Sequence, residues 1–316
     1  MTLVVCRKQE DDVFIQSDSK VIDNFGAVSE RSLRQNSMLG GLLKTFILDP
    51  RICLSFAGAS PYATDFFKKF VKDDIGEWNT PRLVESLMLV HHASSEQCEF
   101  ILCEAVNRSP RISVIKNGNL YWDEDTAWIG SQPAYSKFQS IFHKLDASIP
   151  LNERMRDAFR QVIDDETISE VGHFHMEAYL EHNFSDTGLV GGGPDSVFVY
   201  EMKSEWDTGS QVFHLPANSD TAMSMGSPVY GAYGISYFRS LSTKRHGVAM
   251  HFPHANLGIL MCPQIDCERP IIFRNCSATN LLHEIWAKYQ IAMEGVAVVS
   301  ETEFRLIRSG PHELNI

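Results

Sequence analysis

Helix signals in this chain come in pairs, with groups of strand signals between them, and that order constrains the fold more than any other feature. Two helix starts, each a Ser or Thr cap followed by proline, fall at Ser60-Pro61 and Thr80-Pro81. A hydroxyl cap satisfies N–H groups of the first turn, and proline presets its φ. The first helix lines up Ala63, Phe66, Phe67, Phe70 and Val71, and the second Leu83, Val84, Leu87, Met88 and Val90, at the three-and-four spacing of a buried stripe. A second pair begins at 131–133 with Tyr135, Phe138, Phe142 and Leu145 on one face, followed by Met155, Ala158, Phe159, Val162 and Ile163. Strand-like runs cover 2–8, 12–18, 42–48 and 52–58 before the first pair, and 98–105, 111–116 and 127–131 between the pairs. Another, 172–180, follows them, and Asn117-Gly118 reads as a hairpin turn. Two helix pairs need two sheet faces to cover, so the expected class is α+β, a four-layer α/β/β/α sandwich. Single strands and single helices do not alternate, which disfavours a doubly wound parallel sheet.

The 316 residues carry a formal charge of −12 and no Lys/Arg-rich run, with a pI near 5.4. No nucleic-acid partner is expected from such a surface. No apolar stretch approaches the roughly 20 residues that cross a bilayer, so no membrane partner is expected either. The seven cysteines are odd in number and scattered in apolar runs, and no basic-then-apolar leader precedes them. That usage points to a reducing cytoplasm.

The opening segment holds the candidate chemistry. Removal of Met1 would leave Thr2 as the N-terminus, joining a hydroxyl nucleophile to an α-amine that titrates at about 7.7 to 8.0. The alternative is an ordinary second residue. Residues 2–8 and 12–18 read as a hairpin, and symmetry about Glu10 would set Thr2 opposite Asp18, within about 5 Å between Cβ atoms. Asp18 can equally polarise a turn before Ser19-Lys20. Lys44 lies among apolar neighbours, where a lysine usually marks the solvated face of an edge strand. The apolar run 52–58 stops at Gly58, where backbone can approach a ligand closely.

These segments, taken in order, resemble the proteasome β subunit and HslV family over roughly the first 180 residues. The likeness rests on TLVVCR with DVFIQSDSKV, on GLLKTFILDP followed by ICLSFAGAS, and on AWIGSQPAY. It implies a threonine-type N-terminal nucleophile peptidase that cleaves peptide or amide bonds through an acyl-enzyme ester at Thr2 once Met1 is gone. The α-amine would accept the proton, and Lys44 paired with Asp18 would supply a positive charge that favours the alkoxide. The Gly58 N–H would donate to the oxyanion, and Ser131 would hydrogen-bond the amine. The family's later Asp-x-x-Ser element maps onto Asp165, Glu166 and Ser169, with Ser185 and Asp186 as a second candidate. The loop between Asp18 and Lys44 is longer than the family's, which makes Arg34 a rival for the lysine's role. The resemblance further implies a homo-oligomeric ring, a polypeptide or amide substrate, an ATP-dependent unfoldase as partner, and neither cofactor nor metal. Two alternatives stand beside it: a catalytically inactive ring or scaffold subunit that keeps Met1, and an amidase for a small non-peptide amide.

The likeness fades beyond about residue 205, leaving 206–316 as a C-terminal α+β extension of unassigned role. Residues 212–237 read as loops with short strands, 246–262, 270–274 and 295–300 as strands. Between them, 277–292 reads as a helix with Leu281, Leu282, Ile285, Trp286 and Tyr289 inward. His251, His254, Cys262 and Cys267 are zinc-ligand types, but no Cys-x-x-Cys spacing accompanies them, and no metal is expected. His173 and His175 alternate on one strand face and could be ligands or pocket residues, with a solvent-facing position the expected one. Gly191–Gly193 lacks a following Lys-Ser/Thr, so no phosphate loop is expected.

Overall fold

The structure, a computed structural model, describes residues 2–20, 42–72, 80–106, 109–165, 167–168, 170–172, 174–182, 196–201, 211–214, 222–225, 235–242, 244–253, 256–299 and 303–310. Contacts divide the chain into two compact units, residues 1–22 with 43–199 and residues 23–42 with 200–316. The class is α+β, with mainly antiparallel sheets in both units.

In the first unit, β1 (Leu3–Gln9) and β2 (Asp12–Asp18) form the opening hairpin. They sit at the centre of a sheet ordered β10-β9-β2-β1-β8, with β8 Thr126–Gly130, β9 His175–His182 and β10 Ser196–Glu201. The hairpin register differs by one residue from symmetry about Glu10. Pairing runs from Gln9 with Asp12 to Val4 with Ser17, so the axis lies between residues 10 and 11 and continues to Leu3 opposite Asp18. The cause is a two-residue turn, opened by Glu10 at φ 55, in place of the three-residue turn 9–11.

The second sheet is ordered β3-β4-β5-β6-β7, built from Thr45–Asp49, Ile52–Gly58, Cys98–Val106, Ser109–Lys116 and Asn119–Tyr121. Asn117 and Gly118 take φ 52 and 72 in the β6–β7 turn, the left-handed pair that matches strand twist. Helix α1 (Ser60–Lys72) lays Phe67 edge-on against Phe46 of β3 at 4.0 Å between centroids. Helix α2 (Thr80–Ala93) buries Leu83, Val84 and Leu87, while Met88 and Val90 are half-buried. His91, also buried, fastens α2 to the sheet: its Nδ1 bonds Cys98 O at 2.7 Å, and its Nε2 accepts from Gly118 N at 2.9 Å.

Helices α3 (Gln132–Phe142) and α4 (Leu151–Ile163) cover one face of the first sheet. Leu3 and Val5 of β1 share a core with Ala134, Tyr135, Phe138, Phe142, Met155, Ala158, Phe159 and Val162. Alternation along β1 turns Cys6 to the other face, where its Sγ lies 3.5 Å from that of Cys103 in β5. Side chains of the two sheets are thus in contact on the face of β1 opposite α3 and α4.

The second unit contains a six-stranded sheet ordered β16-β15-β14-β13-β17-β18. Its strands are β13 Ser236–Ser240, β14 Val248–Phe252, β15 Leu257–Met261, β16 Ile271–Arg274, β17 Met293–Val298 and β18 Phe304–Arg308. Helix α5 (Ala278–Tyr289) is capped by Ser277 and packs Leu281, Leu282 and Ile285 on Phe238, Ala249, Leu260 and Phe273. Trp286 and Tyr289 are only half-buried. A separate hairpin pairs β11 (Gln211–His214) with β12 (Ala222–Met225).

Candidate active site

Thr2 precedes β1 and is fully buried, as is Asp18 at the end of β2. Although the register sets Leu3 opposite Asp18, the carboxylate still reaches both residues. Asp18 Oδ1 accepts from the Thr2 hydroxyl and from Leu3 N at 3.1 Å, and Oδ2 accepts from Lys20 N at 3.1 Å and Gly172 N at 3.3 Å. Four donors and no acceptor converge on one carboxylate, an arrangement suited to holding buried negative charge. This environment excludes a role for Asp18 limited to a turn.

Lys44 is 4% exposed. It is not on a solvated strand face, because it precedes β3 and turns inward. Its Nζ donates to Lys20 O at 3.0 Å. Burial pulls its ammonium below the ordinary lysine range, and the Asp18 carboxylate opposes that shift. Lys20, half-buried two residues from Asp18, is subject to the same two influences in the same order. A nearby carboxylate favours the charged form of a buried cation and so opposes the effect of burial.

Ser131 is the N-cap of α3: its Oγ accepts from Ala134 N at 3.3 Å. The hydroxyl donates in turn to Glu170 Oε2, and Ser131 N donates to Thr2 O at 2.7 Å. Thr2 is thus clamped between β2 through its side chain and the β8–α3 junction through its carbonyl. Gly130, immediately before Ser131, has φ 97, and a Cβ there would lie 2.0 Å from Thr2 O. Only glycine permits that approach. Gly130 N donates to Glu99 Oε2 at 2.8 Å.

Gly58 ends β4 with φ 93 and is exposed, and a Cβ there would meet Gln97 O at 1.8 Å. The Cβ position at Gly130 is 3.2 Å from Ala57 Cβ, which sets the end of β4 beside the β8–Thr2 contact. Thr2, Asp18, Lys44 and Ser131 thus gather at one end of the paired sheets, and Gly58 stands next to them. Met1, Arg34, Glu166, Ser169, Ser185 and Asp186 lie outside the described residues. Asp165 is described, and it is turned to other partners. Lys137 at 2.7 Å and Thr167 hold its carboxyl down at about 2.

Sequence reasoning missed Lys20, Glu170 and Gly172. Lys20 is legible only as a neighbour of Asp18. Glu170 directly follows Ser169, but a glutamate in a loop carries no signal until the loop folds back on Ser131. His175 is also a correction. It is 12% exposed, not solvent-facing, and stacks on Phe159 at 4.9 Å. Burial first, then the Arg160 and Arg156 charges, push it down to about 3. His251 Nε2 bonds Cys276 O at 2.9 Å, and burial pushes the Cys262 thiol up to about 12. Among the described residues no group of three or more His, Cys, Asp or Glu side chains is placed to hold a metal ion, and no helix is long and apolar enough to cross a membrane.

No family model and no curated protein matches the chain. Among solved structures it resembles eukaryotic HslV from Trypanosoma brucei, with 18% identity, covering 57% of this chain and 100% of that one, at a TM-score of 0.41. Likeness at that level leaves the chemistry to be argued from the residues themselves.

Proposed function

We propose that this protein is an N-terminal-nucleophile hydrolase, in which cleavage of the bond before Thr2 frees the amine and the Thr2 hydroxyl attacks a peptide or other amide carbonyl. The observation that carries this reading is the double hold of Asp18 Oδ1 on the Thr2 hydroxyl and on Leu3 N, with Lys44 buried nearby and donating to Lys20 O. The hold fixes the hydroxyl's position before any substrate arrives, which is how an oriented nucleophile lowers a barrier. The freed α-amine would take the hydroxyl proton as the tetrahedral intermediate forms. Lys44 would supply positive charge to the alkoxide side, and Ser131 would orient the amine. Gly58 N would serve the oxyanion, and Ser169 would take the place of the serine in the later Asp-x-x-Ser element. In this reading the first unit is a four-layer α/β/β/α sandwich. The protein works in the cytoplasm as a homo-oligomeric ring, served by an ATP-dependent unfoldase if its substrate is a folded polypeptide.

A second reading is favoured by Thr2 being fully buried: the chain is a non-catalytic subunit that keeps Met1. Intact mass spectrometry after treatment with an epoxyketone or β-lactone separates the two. The expected result is a chain beginning at Thr2 that gains one covalent adduct, with none in Thr2→Ala. A retained Met1 with no adduct assigns the second reading.

A further inference from the structure

The far end of the opening hairpin holds a cluster that chemistry at Thr2 does not use. Arg7 lies five residues along β1 from Thr2, about 17 Å at strand rise. Its guanidinium stands 4.1 Å from the centroid of the Phe142 ring, and the Arg154 guanidinium stands 4.8 Å from the same ring. Both arginines are half-buried. The Nε of each is buried and has no hydrogen-bond acceptor among the described residues. A buried N–H without an acceptor costs about 1–3 kcal/mol. Stacking on an aromatic ring returns about 0.5–2 kcal/mol without supplying an acceptor. Two guanidiniums against one ring also repel, and the charge of Arg154 adds to burial in lowering the proton affinity of Arg7.

The nearby acids are committed elsewhere or stand apart. Asp12 Oδ1 is 3.1 Å from His182 Nε2, and Asp146 Oδ1 accepts from Ser148 N at 2.9 Å, while the Arg154 charge acts on Asp146 without a hydrogen bond between the two. Glu10 is exposed at the turn. Arg154 opens onto a cleft of about 500 Å³ between the β1–β2 turn and the α3–α4 connection. Its wall is apolar at Phe14, Ile149 and Leu151, polar at Gln9, Ser148 and Asn152, and acidic at Glu10 and Asp12.

We propose that Arg154, backed by Arg7, is the anchor of a carboxylate-binding site in this cleft, which takes a ligand with one carboxylate on an apolar body. A planar guanidinium matches a carboxylate with two parallel N–H···O bonds, and with the Nε of Arg154 buried these fall to its two terminal nitrogens. The apolar strip at Phe14, Ile149 and Leu151, a minor part of a mostly polar lining, receives the ligand's body, and the two acids at the rim disfavour a doubly charged phosphate. The site is independent of the reaction proposed at Thr2.

The test is saturable stabilisation of the full chain by 3-phenylpropanoate at constant ionic strength, followed by thermal denaturation and by saturation-transfer NMR. The neutral 3-phenylpropanamide and inorganic phosphate are run in parallel. Expected are saturation by the carboxylate alone, at least tenfold weaker binding in Arg154→Gln, and about twofold or more tighter binding in Glu10→Gln through relief of rim repulsion. If Arg154→Gln does not fold, Glu10→Gln decides. No saturable effect, equal or better binding of phosphate or the amide, or unchanged affinity in the deciding variant overturns the proposal and leaves the arginines as a packing device around Phe142.

Discussion

Asp18 is the residue on which the candidate site turns, because one buried carboxylate satisfies four donors from three parts of the chain: Thr2 and Leu3, Lys20, and Gly172. Asp18→Asn keeps the shape but replaces one acceptor oxygen by an NH2 group, which must face N–H donors whichever way it flips. Stability should fall by about 1–3 kcal/mol, read from urea unfolding, and covalent labelling at Thr2 should be lost. Unchanged stability would mean that the four bonds do not hold Thr2. The pairing of Thr2 with Asp18 was legible in the sequence, since two short runs around a polar turn bring their ends together. Its register was not, because the turn absorbs two residues where symmetry about Glu10 assumed three. The burial of Lys44 and the contact of Glu170 with Ser131 were not legible at all. Each depends on what folds over the residue from a distant part of the chain.

At the scale of elements, local signals carried most of the architecture. Helices α3 and α5 begin where they were expected, with Ser131 and Ser277 as the caps that the structure adds, and Asn117-Gly118 makes its left-handed turn. The edge strand β18 gave no comparable sign, because Phe304 and Leu306 are exposed, at 44% and 58%, and their alternation does not report a buried face. The junction between β8 and α3 is the element most sensitive to a single methyl group. In Gly130→Ala the new Cβ would collide with the Thr2 carbonyl, and φ 97 itself costs a non-glycine residue about 1–3 kcal/mol. The expected outcome is a lowered urea midpoint together with loss of labelling at Thr2. A variant as stable and as reactive as the parent would show that β8 does not position Thr2.

For the molecule as a whole, a largely enclosed histidine, 12% exposed, ties stability to pH. His175 is pushed down to about 3 in the folded chain against about 6.5 for an ordinary histidine. The unfolded chain therefore binds the extra proton first, and stability is lost as pH falls from about 6.5 toward 3. The loss reaches at most about 1.4 kcal/mol per pH unit. Unfolding free energies measured at steps from pH 7 down to about pH 5 should decline more steeply in the parent than in His175→Gln, and parallel curves would remove His175 as the cause. The sequence by itself determined the α+β class, the paired helices, the hairpin that begins the chain and the nearness of Thr2 to Asp18. These follow from apolar periodicity, caps and turns, which act between residues a few positions apart. Only the tertiary structure decided that Lys44 is buried and His175 largely enclosed, that Glu170 meets Ser131, and that Arg7 and Arg154 share one ring. Desolvation and charge pairing depend on the groups that close in from remote segments, and no local pattern records them.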